Sequence, residues 1–127
     1  MTECIFCDPV DEKNVIQNDL CYARWSNYEV SKGHMLVVPF RHLAGYFEAT
    51  DEEKAAIWAL VDEGKGLIDQ LHHPDGYNVG INIGEAAGQT IMHLHVHIMP
   101  RYKGDMEDPR GGVRGVIPEK QKYHKGS

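Results

Sequence analysis

"TIMHLHVHIMPRY", Thr90–Tyr102, sets His93, His95 and His97 at every second position, with Leu94, Val96 and Ile98 between them. Successive side chains of a β-strand point to opposite faces, and each residue advances about 3.3 Å. The three imidazoles therefore share one face at spacings of about 6.6 Å, and the three aliphatic residues enter a core from the other. The alternation predicts a strand over Thr90–Met99. One such histidine is unremarkable on a strand. Three in a row, each with a free pKa near 6.5, point to chemistry.

Two chemical readings follow. In the first, His93 and His95 are two ligands of a catalytic zinc that generates a hydroxide nucleophile. In the second, labour is divided: one histidine ligates a structural metal, one is a nucleophile and one contacts a phosphate. Cys4-x-x-Cys7 bears on the choice, because such a pair is half of a tetrahedral zinc site and needs two further N or S ligands. His42 and His93 are the candidates. A closed site of that composition leaves no open coordination position and frees His95 and His97. An unligated or redox-active thiol pair is the alternative for Cys4 and Cys7. Cys21, the third cysteine, has no sequence partner and reads as a buried free thiol.

Upstream, "YNVGINIG" (77–84) reads as a strand, with Asn78, Gly80 and Asn82 on one face and Val79, Ile81 and Ile83 on the other. "EAAGQ" (85–89) reads as a loop, which makes a hairpin with an unusually long connection. Gly84 and Gly88 permit unusual backbone angles, so amide groups there can converge on an anion, while Asn82, Gln89 and Thr90 add neutral donors. His34, following Gly33 at the start of "HMLVVP" (34–39), is a candidate fourth imidazole.

The rest of the chain supplies the frame. Residues 8–19 are polar and read as a loop or hairpin connection, 21–25 and 34–39 as strands, and 27–33 as a turn. Thr50 and Glu53 form a capping box, and Ile57, Leu60, Val61, Gly64, Leu67, Ile68 and Leu71 fall at helical spacing. That predicts a helix over Asp51–His72, with His72 and His73 at the end where a cation suits the helix dipole. One long helix and several short strands without βαβ alternation argue for an α+β fold with a mainly antiparallel sheet. The segment beyond about 103 reads as irregular. Its Arg110 and Arg114 either reach a distal phosphate or cover a sheet edge, and "HKGS" with His124 carries no role.

The chain has 127 residues and a net charge of −6, which argues against a nucleic-acid polymer as partner. No apolar run approaches the roughly 18 residues of a membrane helix, and "MTECIFC" lacks the features of a secretion leader, so the cytoplasm is the expected compartment.

Together, "HLHVHIMPR", the preceding "NIGEAAGQT" and "SKGHMLVVPFRH" resemble the histidine triad (HIT) family of nucleotide hydrolases and transferases. The resemblance runs from "CIFC" to "RYKGDMEDPRGGVRGVIP". It implies a single HIT domain over 1–127: an antiparallel sheet of about five strands, one long helix and short additional elements, usually as a homodimer. It implies that His95 is the nucleophile, attacking the α-phosphate of a purine nucleotide or dinucleoside polyphosphate to form a covalent nucleotidyl-histidine, with His97 assisting the leaving group. His34, Asn82, Gly88, Gln89 and Thr90 match phosphate-binding positions, and Ile5 and Phe6 match the base pocket. Cys4, Cys7, His42 and His93 match the ligands of one structural zinc per chain. Where many members carry an acidic residue that grips the ribose, this chain has Ser26 with Asn27 beside it, and a hydroxyl or amide holds a diol less firmly than a carboxylate. Nucleoside phosphoramidates and aminoacyl-adenylates belong to the same substrate range. A zinc-hydroxide hydrolase and a nucleotide-binding regulatory protein with weak activity are the competing expectations.

Overall fold

The computed structural model describes residues 4–8 and 12–123, and the reading of His124 lies outside them. Five strands, β1 (Asn14–Gln17), β2 (Cys21–Trp25), β3 (Met35–Pro39), β4 (Gly76–Gly80) and β5 (Val96–Arg101), form one sheet in the order β1-β2-β3-β5-β4. Every neighbouring pair is antiparallel. Between β3 and β4 runs the helix α1, Asp51–His72. Short 3-10 turns occupy Tyr46–Glu48, Glu85–Ala87, Gly112–Val116 and Pro118–Lys120.

The helix begins where the capping box places it. Thr50 Oγ1 accepts from the Glu53 amide at 3.1 Å, and Glu53 Oε1 accepts from the Thr50 amide at 2.9 Å. Two orphan donors of the first turn are thereby satisfied. Ile57, Leu60, Val61 and Ile68 are buried against Cys21, Ala23, Met35, Val37 and Ile98 of the sheet. Gly64 brings the two layers close: a Cβ there would meet Met35 Sδ at 2.6 Å. Leu71, by contrast, is 54% exposed, because the inward place in the last turn is taken by His72, which lies against Trp25 and Gly33. His73 ends the helix in the left-handed region, its amide bonded to Asp69 O.

The opposite face of the sheet carries Tyr22, Leu36 and Val38, which pack with Phe6. Both faces of β3 are thus covered, which explains its uninterrupted apolar run.

Three expectations need correction. Residues 14–17, read within a loop, form the edge strand β1; the short run Val15-Ile16 shows no alternation, and a bulge between Asn14 and Ile16 breaks the register. The strand expected over 77–84 spans Gly76–Gly80, its last ladder pair being Gly80 with His97, and Val79 and Ile83 of the aliphatic face are exposed. The strand expected over Thr90–Met99 begins at Val96 and continues through Pro100 to Arg101. Pro100 is tolerated because β5 there pairs with β4 alone, so its missing amide interrupts no second ladder. His93 and His95 lie on the segment entering β5. There Leu94 donates its amide to Leu43 O at 2.7 Å instead of joining the sheet.

A buried carboxylate anchors the helix start. Arg41 Nε and Nη2 grip Glu53 at 2.9 and 2.8 Å. That hydrogen bonding, with the Thr50 contacts, holds the Glu53 carboxyl down at about 2, whereas its ordinary value is 4.5. Its stabilising contribution is complete above about pH 4.5 and is lost as pH falls toward 2. Denaturation midpoints measured from pH 5 to pH 2 are expected to fall steeply for the wild type. They are expected to fall less steeply for Glu53→Gln, which starts from lower stability at pH 7.

Candidate active site and metal centre

The C-x-x-C spacing forms a turn, closed by the Cys7 amide on Cys4 O at 3.1 Å, that gathers both thiols. His42, just after β3, and His93, just before β5, complete a group whose ligand atoms all lie within 4.8 Å of one another. Cys4 Sγ is 3.2 Å and Cys7 Sγ 3.4 Å from His93 Nδ1; His42 Nδ1 is 3.1 Å from Cys7 Sγ and 3.2 Å from His93 Nδ1. A zinc tetrahedron with bonds of about 2.0–2.3 Å has edges of about 3.3–3.8 Å, so these four separations lie within a few tenths of an ångström of the shorter edges. The protonation pattern fits as well. His93 Nε2 lies 2.8 Å from Pro39 O, and a carbonyl only accepts, so the proton sits on Nε2 and the Nδ1 lone pair faces the cluster. The contact with Cys4 raises the Cys7 thiol above its ordinary range, an opposition that a cation between them would remove. The group includes His93 and not His95, so these two histidines do not form the paired ligands of a catalytic metal.

His95 and His97 instead face a cavity of about 700 Å³ on the Tyr22 side of the sheet. His95 Nδ1 lies 2.9 Å from His93 O, so Nδ1 carries the proton and Nε2 keeps its lone pair. His34 Nδ1 accepts from the Val30 amide at 3.1 Å, which places the His34 proton on Nε2, 3.0 Å from His97 Nδ1. His97 therefore accepts at Nδ1 and carries its own proton on Nε2. The rings of His95 and His97 lean to a centroid separation of 5.0 Å. Burial lowers the pKa of His34 and of His95, against the opposing pull of Glu29 on the first and of the His93 carbonyl on the second. His97 is pushed down to about 4 by burial, with His95 and His34 adding to the shift. All three are neutral imidazoles at pH 7.

The cavity wall is apolar at one end. Phe6 is buried with its ring 5.0 Å from that of His95, and the half-exposed Ile5 lies beside it. Asn27, Asn82 and Thr90 also line the cavity, as expected of site residues. Among the described residues no carboxylate does so, and Arg24 is the sole full-time cation. Arg24 was not singled out in the sequence. It is 2% exposed, donates to Trp25 O and Asn27 Oδ1 at 3.3 Å each, and the one hint of it is a charge alternating with Tyr22 in an apolar strand.

Gly88 and Gln89 do not reach the cavity wall. Their loop is closed on itself: the amides of Gly88 and Gln89 bond to Glu85 O and Gly84 O, and the Gly84 amide bonds to Gln89 Oε1. Gln89 Nε2 also donates to Ala44 O and Ile91 O at 2.8 and 3.0 Å. The amides expected to converge on an anion are spent inside the loop. Arg110 pairs with Asp108, and Arg114 Nε donates to Lys120 O. Neither lines the cavity, although Val113 and Val116 of the same segment do.

Known proteins are similar to this chain in sequence and in fold. The model of the HIT domain matches residues 9–104. An AP-4-A phosphorylase of Mycobacterium tuberculosis is 37% identical over 98 residues, which are 75% of this chain and 50% of that protein, so the chain spans about half the length of that relative. A solved structure described as a hypothetical histidine triad nucleotide-binding protein, from Sulfolobus tokodaii, superposes with a TM-score of 0.75 at 36% identity, covering 83% of this chain and 73% of that one. A zinc-bound histidine triad family protein from Mycobacterium smegmatis superposes at 0.73 with 28% identity, covering 83% and 79%.

The Gln89 side chain bonds three backbone groups while 4% exposed, so its loss leaves them unsatisfied. Gln89→Ala is expected to cost about 1–3 kcal/mol in chemical denaturation. Amide hydrogen exchange should rise over 84–91 first.

Proposed function

This chain belongs to the HIT family, and on that premise we propose that it is a nucleotide hydrolase or nucleotidyl transferase working through His95. The observation that carries the reading is the His95–His93 carbonyl bond at 2.9 Å, which leaves an unprotonated Nε2 in the cavity. That lone pair attacks the α-phosphorus of a bound dinucleoside polyphosphate or nucleoside phosphoramidate. A P–N bond forms as the bond to the leaving group breaks. A departing phosphate takes the electron pair as an anion, a departing amine takes it together with a proton from solvent, and His97 Nε2–H donates a hydrogen bond to the charge that develops. Water, or inorganic phosphate in a phosphorylase, then displaces the imidazole, and the pair returns to Nε2. Water releases a nucleoside monophosphate.

The other site residues divide between contact and support. His34 holds His97 in its donating tautomer. Asn82 and Thr90 bind phosphate, Ile5 and Phe6 the purine, and Asn27 the ribose. Gly88 and Gln89 act by shaping the loop. Cys4, Cys7, His42 and His93 hold one structural zinc per chain, which when bound supplies a rigid tie between the N-terminal turn and the approach to β5 and leaves no open position for water. We also propose that the whole chain, 1–127, forms one HIT unit that pairs as a homodimer in the cytoplasm, where reducing conditions keep the two thiols free for metal. Among the described residues no helix is long and apolar enough to cross a membrane.

A second reading, a nucleotide-binding regulatory protein with weak activity, draws on the ribose end of the cavity. There Ser26 and Asn27 provide no carboxylate, and Asn27 Oδ1 is engaged by Arg24.

Mixing with a diadenosine polyphosphate, quenching in alkali within milliseconds and measuring intact mass separates the two. A transient adenylyl adduct is expected in the wild type and not in His95→Ala; firm nucleotide binding with neither adduct nor product would establish the second reading. Because folding lowers the pKa of His34, His95 and His97, protonation of the site sets in only below the ordinary imidazole range. The acid limb of kcat/KM is therefore expected below pH 6.5, with a plateau through pH 7. A limb centred at 7 would show that the site imidazoles are not neutral as described. Sedimentation at micromolar concentration is expected to give twice the 14.3 kDa chain mass, and a 14.3 kDa species would remove the dimer.

A further inference from the structure

We propose that His93 is a positioning residue for the reaction as well as a metal ligand: through its backbone and its immediate neighbours, the metal centre fixes the orientation and tautomer of His95. The proposal rests on the reading of His95 as nucleophile. Its physical basis is that the segment carrying His93–His95 has no sheet ladder of its own, since β5 begins at Val96. The Leu94 side chain is held in the core, and three further anchors lead to the Cys4–Cys7–His42–His93 cluster.

The first anchor is His93. It is fully buried, with Nδ1 in the cluster and Nε2 on Pro39 O, and its carbonyl receives the His95 Nδ1 proton. The second is the Leu94 amide, bonded at 2.7 Å to the carbonyl of Leu43, which adjoins the ligand His42. The third is Phe6, carried on the turn between the ligands Cys4 and Cys7. Its ring lies 5.0 Å from that of His95 and 6.2 Å, edge-on, from that of His93. The carbonyl, the amide anchor and the aromatic wall beside the nucleophile are thus each within one or two residues of a metal ligand. A ligand set that relaxes lets the His93 carbonyl and the Phe6 ring shift together. His95 then loses the acceptor that keeps its proton on Nδ1 and its lone pair on Nε2. Small displacements of this kind matter at a reacting centre, where a misplacement of about 1 Å costs on the order of a hundredfold in rate.

The test uses the zinc-loaded full chain and the same protein after the metal is withdrawn by a chelator, with circular dichroism confirming that both are folded. Long-range proton–nitrogen NMR on histidine-labelled protein reads the His95 tautomer directly. Single-turnover transfer and the Kd for adenosine monophosphate are measured in parallel. The loaded protein is expected to show one His95 tautomer, protonated at Nδ1. The stripped protein is expected to show an averaged pair and a transfer rate at least tenfold lower, a larger loss than the rise in Kd that movement of Phe6 brings. His93→Cys, which keeps a metal-binding side chain and the carbonyl, is expected to recover most of the rate that His93→Ala loses. A His95 tautomer and transfer rate both indifferent to the metal would overturn the proposal. Should the stripped chain unfold, cadmium replaces zinc: a larger ion is expected to slow transfer by more than it weakens nucleotide binding, and identical rates would overturn the idea. A tautomer that follows the metal in a protein forming no adduct would support the positioning role and refute only the nucleophile assignment.

Discussion

The pairing of Leu36 with His97 across β3 and β5 settles which way the whole site faces. Once that register is set, Leu94, Val96 and Ile98 turn toward the helix, and the imidazoles turn away from it. The helix packs on the aliphatic side through Ile57, Leu60 and Ile68, and the cavity opens on the other. A slip of one residue would carry His97 into the hydrocarbon core and turn Val96 and Ile98 toward the cavity. The core and the His97 side of the site are therefore specified by the same hydrogen bonds.

Electrostatics in the cavity follow from what is left out of it. The chain is acidic overall, yet among the described residues no carboxylate lines the space in front of the histidines. Burial without a nearby anion of substance leaves the imidazoles neutral. Their protons are then distributed by neighbours that can act only one way: the Val30 amide can only donate and the His93 carbonyl can only accept. A polyanionic substrate meets directed N–H groups and one lone pair, with no repelling charge in the wall.

Much of this was legible in the chain because it is written in short-range patterns. The capping box and the helical stripe gave Asp51–His72 at both ends, and the alternation of His93, His95 and His97 with aliphatic residues gave the face of the site. The spacing of Cys4 and Cys7, with His42 and His93, pointed to the four residues whose ligand atoms gather within 4.8 Å of one another. What escaped depends on partners far away in sequence. Strand β1 exists only because β2 offers an edge, and β4 ends at Gly80, where its ladder with His97 of β5 ends. Gln89 looked like an anion donor, and only the positions of Ala44 and Ile91 show that its hydrogen bonds are used within the protein. Arg24 and Glu53 are charges in buried places, and burial is not visible from local pattern when each is hidden by a different element.

The metal centre joins residues that are made at very different times. Cys4 and His93 stand 89 positions apart, so at roughly 5–20 residues per second a ribosome finishes the last ligand some 4–18 s after the first. During that interval the two thiols exist without the ligand that closes their coordination shell. The four-residue cluster is complete only once the approach to β5 has docked against Pro39 and Leu43. A metal held by all four would enter late in biosynthesis, in a chain whose sheet has already closed around its last strand.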